Sequence, residues 1–183
     1  LIVSKSYSDD KRVSTDGSLT LHVIRDTFSG TGIAVPIRAR TTDQHYKSFK
    51  FFAGPRAGNP EIVVRSDAAA EQTSAVDLLG WHSSPSLENT WPHNTVHERY
   101  QGKLKGVIRA NMLQSGAPEG AWDYCEAYSS IALALTEPAP ILPRERDAAG
   151  NILELYAPKV RQTCWECSHD GQAFTCLLYT SPS

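Results

Sequence analysis

Apolar residues fall in short runs through the first half of the chain and at three- and four-residue spacings through the second. Leu1 to Val3 is a first apolar run and predicts a strand. Polar residues Ser8, Asp9 and Asp10 follow as a turn, and Asp16-Gly17 is a hairpin signal. Leu19 to Ile24 predicts a second strand, with Leu19, Leu21 and Val23 on one face. Thr27 to Gly32 makes a tight turn, and Ile33 to Ile37 a third strand. Pro36 has no N–H to donate, which places that strand at a sheet edge.

The period then changes. Thr41-Thr42-Asp43 opens a helix in which Tyr46, Phe49 and Phe52 share a face, and Gly54-Pro55 ends it. Ile62 to Val64 is a continuous apolar run, as a buried central strand requires, with Ser66-Asp67 at its carboxyl end. Ala68 to Leu79 predicts a helix closed by Gly80, and Trp81-His82 begins a fifth short strand. Ser83 to Pro92 reads as a loop, Asn94 to Leu113 as the longest helix, and Ala121 to Leu135 as another after Gly116 and Pro118. Beyond Thr136 the prolines at 138, 140 and 143 and Gly150 interrupt any pattern. A strand meander followed by helix–strand alternation predicts an α/β fold, a mixed sheet with helices on its faces. Ligand sites in such sheets gather at the carboxyl ends of central strands, which points at Asp67.

Composition changes this picture little. The chain has 183 residues, 40% hydrophobic and 21% charged, enough for one domain with a buried core. No apolar run approaches the roughly 18 residues of a membrane span, so no membrane partner is expected. The formal net charge of -2 lacks the basic excess usual in a DNA-binding domain and argues mildly against nucleic acid, although an active-site core can be acidic if neighbouring domains supply the basic grip. Of the four cysteines, three crowd the final twenty residues, which suits a reduced, intracellular setting better than a disulfide framework. The start at Leu1, inside a strand pattern, reads as a cut from a longer polypeptide. The tail from Cys176 to Ser183 resembles translated adapter sequence and is set apart from the fold.

Two carboxylates carry the candidate chemistry. Asp67 ends the buried strand and Glu98 lies near the start of the long helix, 98 − 67 = 31 residues on. One helix and one strand between them can return the chain to the same end of the sheet. Carboxylates meeting there repel one another and invite divalent cations. The plain alternatives are a helix cap for Asp67 and a helix-dipole partner for Glu98. Around the long helix Asn94, Gln101, Lys105 and Arg109 lie within about 60° of Glu98, with Tyr100 and Val107 on the other side. That gives Glu98 a polar, basic face suited to phosphates or, equally, to solvent. Cys164 and Cys167 form a zinc half-site in spacing, but His169 and Cys176 complete it poorly. His93 and His97, four apart, read as solvated or DNA-facing.

The stretch Glu61-Ile-Val-Val-Arg-Ser-Asp67-Ala-Ala-Ala-Glu71 resembles the segment of Copia-type retrotransposon integrases in which a strand ends in Ser-Asp-Asn-Gly, with Glu four beyond the Asp. Ala68 and Ala69 stand where Asn-Gly is usual. Asn94-Thr-Val-His-Glu-Arg99 is similar to that family's Asn-Gly-Val-Ala-Glu-Arg, with Thr95 and His97 as departures. Val23-Ile-Arg-Asp26-Thr-Phe-Ser-Gly30, Arg109 to Pro118 with Trp122, and Thr163-Cys-Trp-Glu166 extend the likeness in order.

The resemblance implies a ribonuclease H-like mixed five-stranded sheet flanked by helices, with a catalytic core over 1–136, an irregular segment over 137–175 and the tail over 176–183. It implies a three-carboxylate site, with Asp67 second and Glu98 third, holding two magnesium ions (or manganese) for phosphodiester attack. Asn94, Arg99, Lys105 and Arg109 would then hold DNA, the protein would act as a homo-oligomer, and its work on host DNA would be nuclear. The first carboxylate has no match in Leu1–Lys5. It falls either just before Leu1 or at Asp9 or Asp10, since Asp26 comes too late in the second strand. An inactive remnant with residual nucleic-acid binding, or a nuclease of the same fold, are the competing readings.

Overall fold

The structure, a computed structural model, describes residues 2–8, 13–66, 69–84, 95–139 and 162–169, with the backbone alone for 2–8 and 95–96. Strands β1 (Ile2–Ser8), β2 (Thr20–Asp26) and β3 (Gly32–Ile37) form the meander. Helix α1 (Thr42–Ala53), strand β4 (Val63–Ser66), helix α2 (Ala70–Leu78) and the short strand β5 (His82–Ser83) follow. Helices α3 (Thr95–Ser115), α4 (Trp122–Thr136) and the single-turn α5 (Cys164–Ser168) complete the described elements. The strands hydrogen-bond in the order β3-β2-β1-β4-β5, antiparallel among the first three and parallel from β1 to β4 to β5.

Two apolar clusters, one on each side of this sheet, make the fold a three-layer α/β sandwich. On one side Ile24 and Val64 meet Phe49 and Ala53 of α1, Ala75 and Val76 of α2, and Trp81. On the other, Val23 and Ala34 meet Tyr100, Leu104 and Ile108 of α3 and Leu133 of α4. Thr41 caps α1 by accepting from the Gln44 N–H, and Tyr46 and Phe52 flank the buried Phe49, as the threefold spacing requires. Gly80, at φ 70°, turns the chain from α2 into β5 through a conformation that side chains disfavour.

Strand β3 lies at the sheet edge. The Ala34 N–H points outward, where Glu126 of α4 accepts it at 3.1 Å. Pro36, two residues on, takes the same outward position, where a missing N–H costs no ladder bond.

Several elements depart from the sequence pattern. β1 runs on to Ser8, past the expected end at Val3, because seven pairs with β2 hold a polar segment that alternation alone does not mark. Leu19 is 47% exposed and precedes β2, whereas His22 and Ile24 are fully buried. The single buried face expected over Leu19, Leu21 and Val23 is replaced by two, because helices cover both sides of the sheet. α2 begins at Ala70 with Ala69 as its N-cap, so Asp67 lies ahead of the cap. Past Thr136 the chain is not all irregular: Pro138 bridges to Thr163, whose hydroxyl and Glu166 form a capping box that starts α5. The Thr31 hydroxyl donates to the Cys164 carbonyl at 2.8 Å and ties α5 to the core. Asp9, Asp10 and the tail from Cys176 lie outside the described residues.

Candidate functional site

The parallel pairing of β1 with β4 sets the site's frame. Ile2 stands opposite Val64, Val3 opposite Arg65 and Ser4 opposite Ser66. Ser66 is buried at the end of β4, and Asp67, the next residue, lies outside the described residues. Ser4 is therefore the β1 position level with the strand end, and Lys5 comes next.

Of the sequence-derived candidates, Asn94 lies outside the described residues. Glu98 is exposed in the first turn of α3, where an acid complements the helix dipole. Gln101, expected on its polar face, is buried instead, with His97, Tyr100, Leu104 and Ile108. The inward stripe 97-101-104-108 follows the i, i+4, i+7, i+11 pattern and is rotated from the expected face. Lys105, midway along α3, and Arg109, one turn further on, lie beside Leu21, Ile108, Met112 and Trp122 around a groove of about 540 Å³. Arg99 lies elsewhere, lining a second cavity of about 180 Å³ with Arg25 and Lys103. The basic positions thus divide into two groups. Arg25 and Lys103 escaped the sequence reading, although Lys103 is the i+4 neighbour of Arg99 and so on its helix face.

Buried histidines are the other feature that the sequence did not reveal. His97 is 1% exposed, which overturns its reading as solvated or DNA-facing. His22 on β2 meets His45 of α1 edge-on at 4.4 Å and Phe49 at 4.9 Å. Burial, then repulsion from His45 and His97, holds the His22 pKa well below the usual imidazole value. Burial likewise lowers His45, against an opposing pull from Glu71. On α4, burial raises the Glu126 carboxyl to about 7, although it accepts from the Ser130 hydroxyl at 2.8 Å and from Ala34 N–H.

Two divalent ions ask for several convergent carboxylates. Among the described residues no group of three or more His, Cys, Asp or Glu stands where it could hold a metal ion. β1 brings Ser4 and Lys5, not an acid, past the end of β4. The described donor set does not make a two-ion site. The zinc pattern fares no better: Cys164 is buried with its thiol on the Pro138 carbonyl, and His169 stacks on Trp165 at 3.8 Å. Burial raises both the Cys164 and Cys167 thiols, which disfavours the thiolates that zinc needs.

No protein-family model matches the chain. No curated protein matches it either. Solved structures do. The HTLV-2 integrase catalytic core domain in complex with magnesium, in its dimeric form, superposes with a TM-score of 0.60 at 15% identity, covering 92% of this chain and 94% of that one. The trimeric form gives 0.56 at 14% identity, covering 86% and 95%. A chain of the simian T-cell lymphotropic virus intasome gives 0.63 at 17% identity, with 92% of this chain matched. The protein spans only 53% of that intasome chain. The fold is that of retroviral integrase catalytic cores.

Proposed function

We propose that the chain is the catalytic-core domain of a retroelement integrase, ribonuclease H-like and of the Copia type, that binds DNA and joins its 3′ ends to target DNA. The observation that carries the reading is the superposition on integrase cores over nine-tenths of the chain, combined with a β4 that leads directly into Asp67. In this reading Asp67 and Glu98 are the second and third carboxylates. Asp67 and Glu98 would be the residues to hold magnesium, or manganese in its place, which would supply charge neutralisation at the phosphodiester. Asn94, Arg99, Lys105 and Arg109 hold the DNA backbone, which positions it without reading sequence. The domain works as a homo-oligomer on element ends and host DNA, within the nucleus.

A second reading is favoured by Ser4 and Lys5 at the end of β4, and by Ala68-Ala69 in place of Asn-Gly. It is a remnant that keeps the fold and DNA affinity without chemistry. Strand transfer and cleavage of labelled oligonucleotides, with magnesium or manganese, separate the readings. Joined products, lost in Glu98→Gln, support the integrase; binding without products supports the remnant; cut but unjoined strands support a nuclease. Absence of DNA binding at low salt would sink all three.

A further inference from the structure

We infer that the cavity between the start of α3, the β2–β3 turn and α5 is a seat for a phosphate group, separate from the Lys105–Arg109 groove. Arg25, Arg99 and Lys103 line it, with Glu137 as its acidic member. Three cations against one carboxylate leave a local charge of 3 − 1 = +2 in a domain whose formal net charge is -2. Cys164, also lining it, adds no negative charge, because burial holds its thiol protonated. The volume, about 180 Å³, admits a tetrahedral oxyanion with some of its water and excludes a nucleoside.

The wall is built before any ligand arrives. Arg25 lies 4.8 Å from the centre of the Tyr100 ring, and its Nε donates to the Gly30 carbonyl at 3.0 Å. Stacking and that bond fix the guanidinium plane, so little side-chain entropy is lost when an anion binds. Lys103 and Glu137, both lining the cavity, form an ion pair. Arg99, exposed on α3, completes the lining. A planar guanidinium held over an aromatic ring and an ammonium on a half-exposed stem together suit phosphate geometry.

The occupant is a phosphate, either free or a phosphodiester of a DNA strand. The second source rests on the proposed function. Inorganic phosphate titrated into the ¹⁵N-labelled chain should shift the Gly30 and Cys164 amides, with affinity at least fivefold weaker in Arg99→Gln and Lys103→Gln. Arg38→Gln, an exposed charge-matched control, should leave it unchanged. A fluorescein-labelled 20-base-pair duplex should bind several-fold more weakly to Arg99→Gln, with the slope of log affinity on log salt falling by about one. Phosphate shifts spread over the whole surface, or equal affinity in the variants and the control, would overturn the seat. Localised phosphate binding without duplex binding supports the seat, assigns it to free phosphate and removes the DNA-joining function. Duplex binding lost in Lys105→Gln but unchanged in Arg99→Gln, with no localised phosphate shift, overturns the seat alone.

Discussion

Ser4 of β1 stands opposite Ser66 of β4 in parallel register. That one pairing makes Ser4 the β1 position level with the end of β4, and it is not an acid. Lys5 takes the next register position. Neither residue type is a carboxylate, which the integrase reading needs in this part of β1.

Replacing Lys5 with Asp should therefore raise affinity for manganese at least tenfold over the parent chain, measured by calorimetry. Adding Glu98→Gln to that variant should remove the gain, because the amide keeps the shape but not the charge. Equal affinities across the three proteins would detach β1 and Glu98 from any common metal site.

Glu126 sets a pH window. Its carboxyl is raised to about 7 by burial, whereas an unfolded chain releases that proton near the ordinary glutamate value of 4.5. Between those values the folded state holds more protons, so this group's contribution falls as pH rises from about 4.5 to 7 and is flat beyond. Glu126→Gln should remove that decline and gain stability at pH 8 relative to the parent, with about 3 kcal/mol as an upper figure. Urea unfolding at pH 4.5, 6 and 8 measures it; parallel stability curves for the two proteins would contradict the assignment.

His22 acts in the opposite direction. Its folded pKa is depressed, so its contribution is intact above the unfolded value near 6.5 and is lost as pH falls below it. The slope from one such group is at most about 1.4 kcal/mol per pH unit. His22→Phe keeps a ring beside Phe49 and His45 and should flatten the acid limb of the stability curve between pH 6.5 and 5. An unchanged acid limb would place the acid sensitivity elsewhere.

Gly32 admits no side chain. A Cβ there would stand 2.7 Å from the Tyr100 Cζ and hydroxyl, and the ring is pinned beneath Arg25. Gly32→Ala should cost about 1–3 kcal/mol by overpacking. Shortening Tyr100 to Leu in the same chain should recover part of that loss, a coupling that a double-mutant cycle reads directly. Additive losses would show that the two residues do not meet.

Local pattern determined much of this protein. The threefold spacing of Tyr46, Phe49 and Phe52 marks α1, the apolar run at Val63-Val64 marks a buried strand, and Pro36 marks an edge, because each is a matter of period or of a missing donor. The sequence also marked Asp67 and Glu98 as candidates, by their places at a strand end and a helix start. Tertiary structure decided the rest. Which face of α3 turns inward depended on where α4 and the sheet lay, so Gln101 and His97 went in while Glu98 stayed out. The second buried face of β2, with His22 upon it, needed α1 as a cover. Arg25 and Lys103 came together across 78 residues of chain, and Ser4 came level with Ser66 across 62, because strand register and helix packing are long-range relations that no local period encodes.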